Sequence, residues 1–206
     1  MDLSVKQALA KWPNVPAVYG WLSLDERGRW HIHDQGDATS GGTGALITSP
    51  QILAFIGRNY ASDEQGRWYF QNGPQRVYVR LDATPYVLRV ADTGSALMTH
   101  TGEIIEGVTG WWLDDEGRLY ARTNLGGGLI DGRDMEPVLA ALCLTQDSIP
   151  LMDALEHGHA DAQNAGWQVM HPSYPTPSPF LQNASRAEIV KHLGFVANPS
   201  PDQGDA

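Results

Sequence analysis

The sequence predicts an α+β protein, and three observations carry that reading. Gly and Pro are abundant, at 22 and 13 residues, beside 7 Trp, a mix that favours turns and strands over long helices. Short runs of alternating apolar and polar residues lie between turn signals. One series of features also occurs twice. The expected architecture is therefore duplicated β-hairpin/Gly-rich loop/helix units with antiparallel sheets, followed by an irregular Pro-rich C-terminal extension.

The hairpins rest on three similar segments: Asp25-Glu26-Arg27-Gly28-Arg29-Trp30, Asp63-Glu64-Gln65-Gly66-Arg67-Trp68 and Asp114-Asp115-Glu116-Gly117-Arg118-Leu119. In each, the Asp side chain can accept from the backbone two residues on, and the Gly supplies the positive φ that closes a type I turn with a bulge. Trp30 and Ile32, Trp68 and Phe70, and Leu119 and Ala121 then alternate with polar neighbours, so one face of each strand is core.

The first and third hairpins also share flanks, Gly20-Trp21-Leu22 and Gly110-Trp111-Trp112-Leu113. Gly42-Thr43-Gly44 with the run from Ile52 parallels Gly126-Gly127-Gly128 with the run from Val138. Residues 17–60 and 107–144 are thus expected to share one strand order, with Trp30 and Leu119 at equivalent core positions. Ser49-Pro50 starts a helix to about Tyr60, and Pro137 starts another that ends near Leu144. Val77–Leu81 and Tyr86–Val90 read as strands joined across Asp82–Pro85, in a meander with Trp68–Phe70. Further on, Ile149–His157 reads as a helix, Met170–Phe180 with its prolines as extended chain or coil, and Ser185–Leu193 as a helix capped by Ser185 and Glu188. A boundary near Asp92–Ser95 divides the chain into an N-terminal half (1–94), a repeat-related half (95–165) and an extension with a frayed tail (166–206).

Composition narrows the function classes. The 24 acidic and 14 basic residues give a net charge of −10, the opposite of the basic face that nucleic acid or an anionic membrane selects. Cys143 is the single cysteine, placed in an apolar run and read as a small buried hydrophobe, so no internal disulfide forms. No segment near Met1–Tyr19 has the apolar core of a signal peptide, and no run spans a bilayer. Cytoplasm is the expected compartment.

Catalytic motifs are sparse. His31-x-His33-Asp34 puts two imidazoles on one strand face without a third ligand, and Glu156-His157-Gly158-His159 falls where a helix ends, so no metal and no cofactor is expected. The Gly-rich loops lack the Lys-Ser/Thr ending of a phosphate-binding loop, no Gly-x-Ser-x-Gly elbow is present, and the acids at Asp63-Glu64 and Asp114-Asp115 sit in solvated turns. Gln71-Asn72-Gly73-Pro74-Gln75-Arg76 is the richest polar stretch. With Arg58 and Asn59 from the end of the helix before it, Gln71, Asn72 and Arg76 are expected to line a ligand groove between the halves, the two arginines selecting an acidic ligand.

The order of features from Gly28 to Val90 resembles an uncharacterised bacterial family, number 1285 among the domains of unknown function. The resemblance rests on Gly28–Trp30, Ile52–Ile56, Asp63–Tyr69, Pro74 with Arg76, and Asp82–Tyr86. It departs at Ala83-Thr84, where that family carries an acid, and at Gln71–Arg76, which is one residue shorter. The resemblance implies a fold of repeated α/β motifs, with signalling or ligand binding and no established reaction, in a related but separate family. The reading at this level is a non-catalytic intracellular module that binds a small acidic ligand or a protein partner. A metal-dependent hydrolase using the His-rich segments and a structural adaptor are the alternatives.

Overall fold

The computed structural model describes residues 1–92, 94, 96–156 and 167–201. They belong to two compact units: Met1–Pro85 with the chain from Gly194, and Tyr86–Leu193. No helix among the described residues is long and apolar enough to cross a membrane.

The first unit contains helices α1 (Leu3–Lys11) and α2 (Pro50–Arg58) and strands β1 (Val18–Leu24), β2 (Trp30–Ile32), β3 (Ala45–Leu46), β4 (Tyr60–Ser62), β5 (Trp68–Asn72) and β6 (Gln75–Leu81). The strands form one sheet in the order β3-β2-β1-β6-β5-β4. The second unit contains β7 (Tyr86–Val90), β8 (Leu97–Thr99), β9 (Val108–Asp114), β10 (Leu119–Thr123), β11 (Gly126–Ile130), α3 (Met135–Ala141), β12 (Cys143–Leu144), α4 (Leu151–Glu156), β13 (Trp167–His171), β14 (Tyr174–Ala184) and α5 (Arg186–Leu193). Its sheet runs β12-β13-β14-β9-β10-β11-β7-β8.

Read from β11 to β12, the second sheet repeats the strand order of the first: third, second, first, sixth, fifth, fourth. In both, the sixth strand lies parallel to the first, β6 beside β1 and β14 beside β9. Trp30 is registered with Leu24 and Leu119 with Leu113, and both Trp30 and Leu119 are buried. The expected antiparallel sheets are thus mixed sheets. A strand that returns across a helix enters parallel to its neighbour, a long-range pairing that turn chemistry does not encode.

Three further expectations are corrected. Tyr86–Val90 does not continue the meander. Its Tyr86, Val87 and Leu88 are buried, and it joins the second sheet between β8 and parallel β11. A strand buried on both faces suits a sheet interior, and the two compact units divide after Pro85. Second, the Pro-rich extension is not irregular, because Tyr174–Ala184 is an interior strand. Pro175, Pro177 and Pro179 share one parity and lose their donors along one edge, and β9 is registered only from Phe180 onward. Third, α3 stops at Ala141, so Cys143 lies in β12 and is half-buried. The α1 helix has no counterpart in the sequence reading.

All three Asp-x-x-Gly-Arg turns close with the same hydrogen bonds. Oδ1 of Asp25, Asp63 and Asp114 accepts from the backbone N–H groups two and four residues on, at 2.7 to 3.0 Å. Oδ2 takes the Nε of Arg29, Arg67 or Arg118 at 2.7 to 2.8 Å. Gly28, Gly66 and Gly117 hold φ of 75°, 76° and 79°, the left-handed backbone that closes the turn. These acids therefore clasp the hairpins and are not simply solvated. Ser185 and Glu188 form the expected reciprocal cap on α5, with the Ser185 N–H donating to Glu188 Oε2 at 2.8 Å.

Candidate functional site

A cleft of about 440 Å³ opens in the first unit, between α2 and the core face of the sheet. Val18, Trp21 and Leu22 of β1, with Ile32 of β2, form one side. Ile52 and Ile56 of α2 form another, one helical turn apart, with Ile47 before the helix. Phe70 and Val77 are registered partners on β5 and β6, and the next pair toward the hairpin turn, Asn72 and Gln75, supplies the polar end. Residues directly opposite each other in an antiparallel pair share a face.

The cleft owes its mouth to an irregularity in β1. Val18 is registered with Val77, but Leu22 with Val79, so β1 carries extra residues there. Gly20 sits in that bulge at φ 81°, and a Cβ on it would run into the Gly36 carbonyl oxygen. The bulge leaves Trp21 46% exposed, beside Ile32 and Ile52, both also exposed.

The second unit carries larger side chains at the corresponding positions. The position of Leu22, registered with Val79, corresponds there to Trp111, registered with Phe180. Trp111 and Phe180 are 1% and 2% exposed.

On the opposite face of the first sheet lies an array that the sequence reading did not identify. Ser23 Oγ is 2.9 Å from His33 Nε2, and His33 Nδ1 is 3.1 Å from Asp37 Oδ1. The order of groups matches that of a serine nucleophile with its base and orienting acid, but its exposure is inverted. Ser23 and His33 are both 1% exposed, within or beside β1, while the Asp37 side chain is half exposed. Arg80 donates to the carbonyls of Ala38 and Gly42 on the same loop. The array therefore clamps loop 33–44 to the sheet. Ser23→Ala, which strands the buried imidazole nitrogen, is expected to cost about 1–3 kcal/mol in chemical denaturation.

The model of the family DUF2944, described as "Protein of unknown function (DUF2946)", matches residues 1–200. The chain belongs to that family. Two solved structures similar to it are DUF1285 family proteins. The one from Silicibacter pomeroyi DSS-3 is 19% identical, over 65% of this chain and 75% of that chain, with a TM-score of 0.47. The one from Shewanella baltica OS155 is 11% identical, over 55% and 86%, with a TM-score of 0.39. No curated protein matches the chain.

In this family member the pleat separates the residues picked out from the sequence. Asn72 faces the cleft, whereas Gln71 and Arg76, registered with each other, lie on the other face with Tyr69 and Tyr78. Arg76 stacks over the Tyr69 ring at 4.6 Å, and Gln71 is fully buried with its Nε2 donating to the Gly73 carbonyl. Asn59 and Gln71 do meet, through a 2.8 Å bond from the Gln71 N–H to the Asn59 carbonyl. The Asn59 side chain is buried, donating to the Phe55 carbonyl and accepting from the Asp2 N–H. Arg58 is exposed and paired with Asp2, whose carboxyl it holds below the ordinary carboxylate range.

His31 Nε2 lies 3.1 Å from Asp25. Among the described residues no group of three or more His, Cys, Asp and Glu could hold a metal, and His157 and His159 lie outside the described residues. Gln75, part of the polar stretch but not among the expected groove residues, is the second amide of the cleft. Its signals were its amide, a donor in the Gln71–Arg76 stretch, and its place opposite Asn72 across Gly73-Pro74.

Proposed function

We propose that the chain is a non-catalytic module that binds one small, largely apolar molecule in the cleft of its first unit. The observation that carries this reading is the contrast between the two sheets: the same strand order encloses about 440 Å³ of open space in one, where the other holds the Trp111–Phe180 pair. That volume falls in the range of small-molecule sites, which combine an apolar lining with a few placed polar groups. Tandem duplication of one ancestral unit accounts for the matched strand orders, with one copy keeping the cleft and the other packing it. An apolar body changes the ligand expected from the sequence, since the two cations meant to select an acid are engaged by Asp2 and Tyr69.

Titration with the neutral dye Nile red tests the reading. One dye per chain should bind with a blue-shifted emission. Ile52→Asp, at a half-exposed position that tolerates the charge, should weaken it by about tenfold or more. Equal binding by wild type and variant, or none by wild type, would remove the cleft from the account. Recruitment of a protein to the same face, with no small molecule bound, would favour the partner-binding alternative.

A further inference from the structure

We propose that the ligand is an aliphatic chain ending in an uncharged hydrogen-bonding head, such as a medium-chain alcohol, primary amide or ester. This rests on the ligand-binding reading above and narrows it to a chemical class.

The lining sets the body of the ligand. Seven of its eleven residues are Val, Leu or Ile, against two aromatic rings, so the walls are branched alkyl surface. A flexible chain fills such a space by dispersion and water release, with each buried methylene contributing in proportion to its area.

The polar end sets the head. Asn72 and Gln75 are the only polar lining residues, and they face the cleft as a registered pair. Gln75 Nε2 donates to the Pro16 carbonyl at 3.2 Å, which orients that amide and leaves its oxygen as an acceptor. The Asn72 carboxamide has no hydrogen-bond partner among the described residues, so it can both donate and accept. A hydroxyl or an amide matches this pair, giving one hydrogen and accepting another.

A carboxylate does not match it. No charged residue lines the cleft. Arg76 follows Gln75 directly but projects from the other face of the pleat, and Arg58 is held by Asp2. An anionic head would meet two neutral amides and no cation there, in a chain of net charge −10.

Calorimetric titration of the full chain at pH 7 with straight-chain alcohols from hexanol to dodecanol tests the class, with the matching fatty acids and naphthalene as comparators. The alcohols should bind one per chain, tightening about fourfold per methylene until the cleft is full. The fatty acid of equal length should bind about tenfold or more weakly. Asn72→Leu should reduce that preference without abolishing dye binding. Fatty acids or naphthalene binding more tightly than the alcohols would overturn the class while leaving a small-molecule site in place. Absence of binding by every compound and by Nile red would overturn both.

Discussion

Trp111→Ala is expected to lower the unfolding free energy by about 3–5 kcal/mol. Trp111 is 1% exposed and sits on an interior strand, registered with Phe180 on one side and Ala121 on the other. Its ring also approaches His171, with centroids 6.0 Å apart. Strands on both sides are fixed by their ladders, so the space left by the indole cannot close by a local shift. Domains of this size have about 5–15 kcal/mol in all, so the loss should be plain in a denaturant midpoint. A change below about 1 kcal/mol would mean that the second unit is not packed around this ring.

The second large effect is expected at the hairpin clasps, and Asp114 should lead them. Its side chain is fully buried, against 11% and 13% exposure for Asp63 and Asp25. Besides two backbone N–H groups and Arg118, its Oδ2 accepts from the Tyr120 hydroxyl at 2.9 Å. Asp114→Ala leaves these donors without an acceptor and should cost about 2–4 kcal/mol. Asp114→Asn should cost less, because its oxygen still takes both backbone donors. A smaller loss for Asp114→Ala than for Asp25→Ala would contradict the ranking by burial.

The same acids set the acid limb of stability. Burial pushes the Asp114 carboxyl up, but bonds from the Arg118 backbone and side chain and from Tyr120 more than offset it, leaving the group below its ordinary value. Asp25 and Asp63 are lowered by the same balance. A carboxyl depressed in the folded state contributes stability that is present above the unfolded value, about 3.9, and is lost as pH falls through the folded one. Burial also lowers His171, so the unfolded chain takes up that proton first and stability should begin to slip below about pH 6.5. His171→Asn should flatten the upper step and leave the lower one.

What the sequence made legible is local chemistry. The three Asp-x-x-Gly-Arg turns, the α5 cap and the strands after each turn follow from contacts within four residues. Pairings set at long range were not legible: β6 returns beside β1, and β7 leaves a turn that reads as a hairpin. Alternate prolines masked β14, whose tolerance for them depends on which edge faces a neighbour. The candidate site was half legible for a related reason. Adjacent residues on a strand face opposite ways, so choosing Gln71, Asn72 and Arg76 as neighbours in sequence mixed two faces. The cleft draws one to three residues from each of β1, β2, α2, β5 and β6, and Trp21 reaches it only because β1 bulges at Gly20.

The most direct test makes the first unit resemble the second. Leu22 lines the cleft at the place where the second sheet carries Trp111, so Leu22→Trp should fill the space with the residue that this strand order already accommodates. Nile red affinity should fall by about tenfold or more, with the far-ultraviolet circular dichroism unchanged and the denaturant midpoint equal to or above that of the wild type. A folded Leu22→Trp chain that binds the dye as tightly as the wild type would contradict the claim that this cleft is the ligand site.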